Sequence, residues 1–273
     1  MSRLPISPAA MRKLLREMET SGRGEHVLAV GGASELAPVL RQQLLRGRAD
    51  PGAVRLGGPE GADVYVHVVA REPGDEDVQV MRRAGRARVP VIVVAVGLAR
   101  DVPTIPYVFA TDVVPTDSEQ DFRLETIARA IAARLSEDGA PLAARVPLLR
   151  EAVCAQLVAS FARKNGVLAA AVWIPGADLP ILVLNELRLV LRLSETYGLA
   201  GGQERLAELA ATLGAGLGLR ALARELLDLV PVAGWALKGA VAYGGTRALG
   251  EAACRRFALA ATRRPVAGAR VAP

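Results

Sequence analysis

The chain is poor in the residues that most often carry chemistry. Its 273 residues include two cysteines, Cys154 and Cys254, too few for a disulfide framework or a structural zinc site. The two histidines, His26 and His67, have no cysteine or carboxylate at ligand spacing, so a structural role is expected of each and no metal or other cofactor site is predicted. Aromatic residues make up 4 %, and no basic stripe carries stacking side chains, which argues against nucleic-acid binding. No apolar signal-peptide core follows Met1 in MSRLPISPAAMRKLLREME, so secretion is not expected. Long charge-free runs are missing too. The apolar stretch Gly166–Gly198 offers at most thirteen uncharged residues, Asn165–Ala177, against the about 20 of a transmembrane helix. Pro175, Gly176, Asp178 and Pro180 then break it in two.

What is present points to two domains. Hydrophobic residues reach 51 %, mean hydropathy is +0.27, and the apolar excess lies in the second half. Residues 1–150 hold 20 basic and 19 acidic side chains, while residues 151–273 hold 14 and 9. Five of those bases, Arg255, Arg256, Arg263, Arg264 and Arg270, form an acid-free tail. Such a tail suits either anionic lipid, at about 1 kcal/mol per charge near the surface, or a solvated, disordered terminus.

From His26 the pattern alternates strand and helix. Strands are predicted at 26–31, 63–70, 89–96 and 107–111, with a weak one near Val54–Leu56, and helices at 35–46, 75–87 and 119–136. Val- and Ile-rich runs without polar alternation are strands covered on both faces, so the expected class is a parallel α/β sheet. A short helix at 7–20, opened by Ser7-Pro8, precedes it within an N-terminal segment 1–23. The α/β domain is placed at 24–137, a linker at 138–145, a helical domain at 146–260 and the basic tail at 261–273. Within the helical half, helices are predicted at about 146–164, 166–174, 179–197, 202–228 and 232–260, broken at Gly166, Pro175-Gly176, Gly198 and Pro231.

The strand–glycine–helix run HVLAVGGASELAPVLRQQLL invites a phosphate-loop test. GxxxxGK[ST] needs a lysine on the phosphates and a hydroxyl on magnesium. Counted from Gly31, the chain places Leu36, Ala37 and Pro38 at those positions. A metal-side acid and a base-recognition motif are missing as well: Arg55–Gly58 reads RLGG, and strand 89–96 runs into GLARD. The uncharged helix start after Gly32 keeps some capacity for an anion. Tight nucleoside triphosphate binding and hydrolysis are not expected, and no catalytic residues are assigned.

The helical half carries patterns instead of motifs. Asp178, Asn185, Arg188 and Arg192 share one face of an otherwise apolar helix, as a solvent edge or as an interior ionic network. Gly214 and Gly218 have the spacing of closely packed helices. Gly216-Leu-Gly218 imitates a dinucleotide fingerprint, yet no strand precedes it. Lys238 stands alone in Leu229–Thr246, as a snorkelling or a buried lysine.

Ile174-Pro175-Gly-Ala-Asp178-Leu, Tyr197-Gly198, Leu229-Val-Pro231-Val-Ala-Gly234 and Thr246 followed by Leu249-Gly250-Glu251 stand in an order that resembles the YcjF-like domain of unknown function. The resemblance covers about residues 146–260. Residues 24–137 in turn resemble a shortened Ras-like GTPase core whose motifs are lost. The YcjF-like family is helical, often attached to or encoded beside GTPases, and annotated with membranes. It has no established catalytic residues. Structural or interaction roles are expected of Pro175, Asp178, Tyr197, Gly198, Pro231, Gly234 and Thr246, which carry the resemblance, and of Arg188, Arg192 and Lys238, which the patterns of the helical half single out. The expected function is a non-catalytic, GTPase-like scaffold or regulator at the cytoplasmic face of a bacterial membrane, with a GTPase or another protein as partner. The alternatives are a soluble cytoplasmic two-domain interaction module and a divergent nucleotide hydrolase.

Overall fold

A computed structural model describes residues 16, 24–98, 104–117, 122–171, 179–199 and 234–262. It divides into two compact units, Ser21–Gln156 and a second that takes the described residues from Leu157 onward together with Arg16. The helix expected at 7–20, save helical Arg16, the helix expected at 202–228 and the tail beyond Thr262 lie outside the described residues.

The first unit is built on β1 (Leu28–Gly32), β2 (Val54–Leu56), β3 (Val64–Val69), β4 (Val91–Val96) and β5 (Val113–Thr116). All four pairings are parallel and the order is β2-β1-β3-β4-β5. This is the α/β class expected from the Val/Ile runs. β3 is buried at every position and β4 at all but its first, which is why neither alternates with polar residues. Between the strands lie α1 (Leu36–Leu44), α2 (Asp75–Ala87) and α3 (Leu124–Leu135). On one face, Met81 of α2 packs with Ala29, Tyr65, Val69, Val93 and Ala95.

Two expectations fail in this unit. The strand expected at 107–111 is a turn followed by a short 3-10 segment, Ala110–Asp112, and the last strand starts at Val113. Tyr107 has φ 71°, a left-handed conformation incompatible with a strand, whereas Ile105 and Val108 tuck into the core. The true β5 contains Pro115, which is tolerated because β5 is the outer strand. Residues 138–145, expected as a linker, form α4 (Gly139–Arg145), and Gly139, Ala140, Pro141, Leu142 and Ala143 are buried. Its last residue clamps the start of the fold. Arg145 Nη1 donates to the His26 carbonyl at 2.7 Å, and its Nε and Nη2 bond Asp50 Oδ2 at 2.9 and 2.8 Å. The Arg145 bonds, joined by the Gly52 N–H, hold the Asp50 carboxyl below its usual pKa.

The helical unit contains the later part of α5 (Arg150–Ala171) with α6 (Leu179–Thr196) and α7 (Gly234–Thr262). α5 passes through Gly166, where a break was expected. A side chain there would meet Tyr243 Cβ at 3.2 Å and the Gly239 carbonyl oxygen at 3.3 Å, so the glycine lets α5 and α7 nearly touch backbones. The about 1 kcal/mol cost of a helical glycine is offset by that close packing. α6 ends as expected at Gly198, φ 67°, with Gly198 N–H on Glu195 O and Leu199 N–H on Ser194 O, a Schellman cap. Among the described residues, no helix is long and apolar enough to cross a membrane.

Candidate functional site

Chain order reverses beside β1: the chain runs from β1 outward to β2, then returns to place β3 on the other side. Open parallel sheets hold their ligands in the crevice at the carboxyl ends of such a strand pair. A cavity of about 620 Å³ lies there, lined by the β1–α1 turn (Gly32–Leu36), by β3 with the residues after it, and by Glu76, Asp77 and Val80 of α2.

The floor of the cavity is a chain of buried polar groups. Alternation along β3 puts Tyr65 and His67 on one face. Asp77, third residue of α2, turns back so that its Oδ2 accepts from the Gly74 N–H at 2.8 Å, the carboxylate half of a capping box. Its Oδ1 lies 2.8 Å from His67 Nε2, and His67 Nδ1 lies 3.0 Å from the Tyr65 hydroxyl. An ionised Asp77 only accepts, so Nε2–H is the donor, and Nδ1 takes the Tyr65 proton. Both ring nitrogens are thereby satisfied in the neutral imidazole. Arg71 Nη1 adds a bond to Asp77 Oδ2 at 3.0 Å.

Burial pushes the Tyr65 phenol up to about 12 and the His67 imidazole below its usual pKa. Burial also pushes the Asp77 carboxyl up, but the Gly74 N–H, His67 and the Arg71 charge outweigh it and hold the group below its usual value. The result is an ionised Asp77, a neutral His67 and a fully protonated Tyr65. Hydroxyl, imidazole and carboxylate thus stand in one hydrogen-bonded series.

The β1–α1 turn is closed in the same way. The Ala33 N–H bonds the Val68 carbonyl at 2.8 Å, and the Leu36 and Ala37 N–H groups bond the Ala33 carbonyl at 3.1 and 2.9 Å. A Cβ on Gly32, φ 98°, would collide with the Val68 carbonyl oxygen, and one on Gly31 would meet Gly57 O at 2.7 Å. The two glycines therefore serve tight packing of β1 on its neighbours, and the Ala33, Leu36 and Ala37 amides of the turn already have carbonyl partners. Arg71 is the sole lysine or arginine of the lining, against Glu35, Glu76 and Asp77.

The residues singled out from the sequence are elsewhere. Pro175, Asp178 and Pro231 lie outside the described residues, and Gly234 is the first residue of α7. In the helical unit, Asn185 Nδ2 donates to Asn165 Oδ1 at 2.9 Å, Asn165 Nδ2 to Thr246 Oγ1 at 3.0 Å, and the Thr246 hydroxyl to Glu186 Oε1 at 3.2 Å. Thr246 thus joins a polar layer across α5, α6 and α7. Arg192 pairs with Glu195 at 2.9 Å, both side chains nearly buried, so this part of the polar stripe faces inward. Arg188 is half-buried and Lys238 is buried. Tyr197 packs on Phe257 with ring centroids 6.4 Å apart.

Sequence reasoning missed the crevice. Its signal was present in Tyr65 and His67, two apart inside a strand, and in an Asp three residues into a helix that follows Gly74. Among the described residues, no group of three His, Cys, Asp or Glu side chains is placed to hold a metal ion. No protein-family model matches this chain, and neither does any curated protein.

Proposed function

We propose that this protein is a non-hydrolysing, GTPase-like scaffold or regulator that associates peripherally with the cytoplasmic face of a membrane. The observation that carries the first half is the closed β1–α1 turn. The Ala33, Leu36 and Ala37 amides are spent on the Val68 and Ala33 carbonyls, and the crevice beside the turn is rimmed by carboxylates where a nucleotide would bring phosphates. The basic Nδ1 of neutral His67 is engaged by the Tyr65 hydroxyl and its Nε2–H by Asp77, which leaves neither nitrogen turned to a water in the crevice.

One end of the helical unit supports the second half. Val167, Ile181, Leu237 and Tyr243 are exposed there, around the small buried cluster of Ala169, Leu182 and Ala242. The described residues of that end, 157–171, 179–185 and 237–246, contain no acid, and Arg163 and Lys164 are exposed among them. Apolar side chains beside exposed bases suit an anionic interface. A partner GTPase or other protein at that surface fits the same reading. The soluble interaction module is the competing reading, and the lack of a spanning helix among the described residues favours it equally.

Two measurements on the full chain test this. Calorimetry with GTP or ATP and magnesium should give no binding heat at micromolar concentrations, and no phosphate should be released. Micromolar, magnesium-dependent binding overturns the first half. In flotation, the protein should rise with phosphatidylglycerol-containing vesicles and stay down with neutral ones, and Val167→Ser with Leu237→Ser should weaken flotation. Equal behaviour toward no vesicles and anionic vesicles leaves the soluble module as the function.

A further inference from the structure

The crevice cavity has a charge pattern that selects what enters it. Residues at the starts of α1 and α2 line it, and helix N-termini attract anions. Here both positions are already supplied with carboxylates: Glu35 directly precedes α1, and Asp75, Glu76 and Asp77 form the first turn of α2. Asp77 is consumed by His67, Gly74 and Arg71. Arg71 is consumed in turn by Asp77 and by the Glu72 carbonyl at 2.9 Å. With His67 neutral, three carboxylates and one guanidinium leave the lining at a net charge of −2. Glu35 and Glu76 are exposed and hold the excess. Beside them the wall is apolar, formed by Leu36, Val68, Val69, Ala70 and Val80. The volume, about 620 Å³, is that of a small-ligand site.

We infer that this cavity binds a cationic group on an apolar stem, a guanidinium or an ammonium, with Glu35 and Glu76 meeting the charge and Leu36 and Val80 the stem. The inference rests on the reading above that the crevice takes no nucleotide. The hydrogen-bonded Tyr65–His67–Asp77 floor keeps the cavity preformed, so little ordering cost opposes binding. Such a group is carried by the arginine or lysine side chain of a protein partner and by free small amines alike, and both meet the same two carboxylates.

Amide NMR of the full chain separates the outcomes. Agmatine and cadaverine represent the free amines, and an unstructured peptide with one Arg or Lys represents the protein side chain. Each should shift the amides of Ala33, Glu35, Glu76 and Asp77 in a saturable way, more weakly as salt rises. Glu35→Gln and Glu76→Gln should each weaken binding about two- to fivefold, and the double variant about tenfold, while the thermal midpoint stays put. Tighter binding by the peptide identifies a protein side chain as the occupant, and tighter binding by agmatine a free amine. Absence of a saturable shift from all the cationic probes, or a double variant that binds like the parent, overturns the inference. If magnesium–GTP shifts these amides, the non-nucleotide reading falls instead, and the two failures are therefore distinct.

Discussion

The two units solve the problem of buried polarity in opposite ways. In the α/β unit the strands bury Val, Ile and Ala almost exclusively, and the Tyr65–His67–Asp77 chain gathers at the crevice. In the helical unit Asn165, Glu186, Ser194, Glu195, Thr196, Lys238 and Thr246 are all buried. A parallel sheet has its backbone groups paired strand to strand, so its core needs only apolar cover. Helices that approach as closely as α5 and α7 do at Gly166 and Gly239 bring polar side chains within bonding reach of one another. The comparison teaches where each unit is sensitive: the first to backbone room, the second to lost partners.

The sharpest way to break that comparison is Gly32→Ala. The new Cβ collides with the Val68 carbonyl at a φ of 98°, so the α/β unit should lose about 4 kcal/mol or more, read as faster hydrogen exchange across β1 and β3. Gly47→Ala, also at positive φ but with nothing within 4 Å, should cost only about 1–2 kcal/mol. Equal losses would mean that conformational strain, and not the tight β1–β3 contact, sets the cost.

Next in size is Thr246→Val. It removes a hydroxyl that accepts from Asn165 and donates to Glu186, leaving two buried groups short of a partner. The helical unit should lose about 1–3 kcal/mol, and Thr246→Ser, which keeps the hydroxyl, clearly less. If Ser and Val behave alike in denaturant melts, the methyl group and not the polar layer matters at this position.

The smallest effect is a pH slope. Burial lowers the His67 pKa in the fold below 6.5, so the unfolded chain takes up a proton first. Stability from this group is complete above about pH 6.5 and is lost as pH falls toward the folded pKa. Asp77, also lowered in the fold, adds a loss only as pH falls below 3.8. His67→Gln should flatten the upper slope and leave the lower one, as read from urea midpoints across that range.

Much of the architecture was legible because the signals were long. β1, β3, β4 and α2 are runs whose composition has one sensible outcome. β5 was missed because Tyr107–Thr111 is richer in strand formers than Val113–Thr116, and only the left-handed Tyr107 reveals a turn. The linker at 138–145 was misplaced because glycine, proline and charge usually mark solvent. Here Pro141 is buried, and Arg145 returns 95 residues in sequence to reach Asp50. The crevice was hidden for a different reason. His67 and Asp77 are ten residues apart across a turn, and only a folded β3–α2 connection brings ring and carboxylate to 2.8 Å. Periodicity records which face a residue occupies, and says nothing of the partner a turn delivers to it.

Pro115 has a consequence for crowding. It sits in a four-residue strand at the outer side of the sheet, and its missing N–H is harmless to β4 only if it points away from it. Any extended segment arriving at that side therefore meets an interrupted ladder on a very short template. The sheet ends itself there, and copies of this chain at high concentration find no continuous backbone edge on that side along which to polymerise.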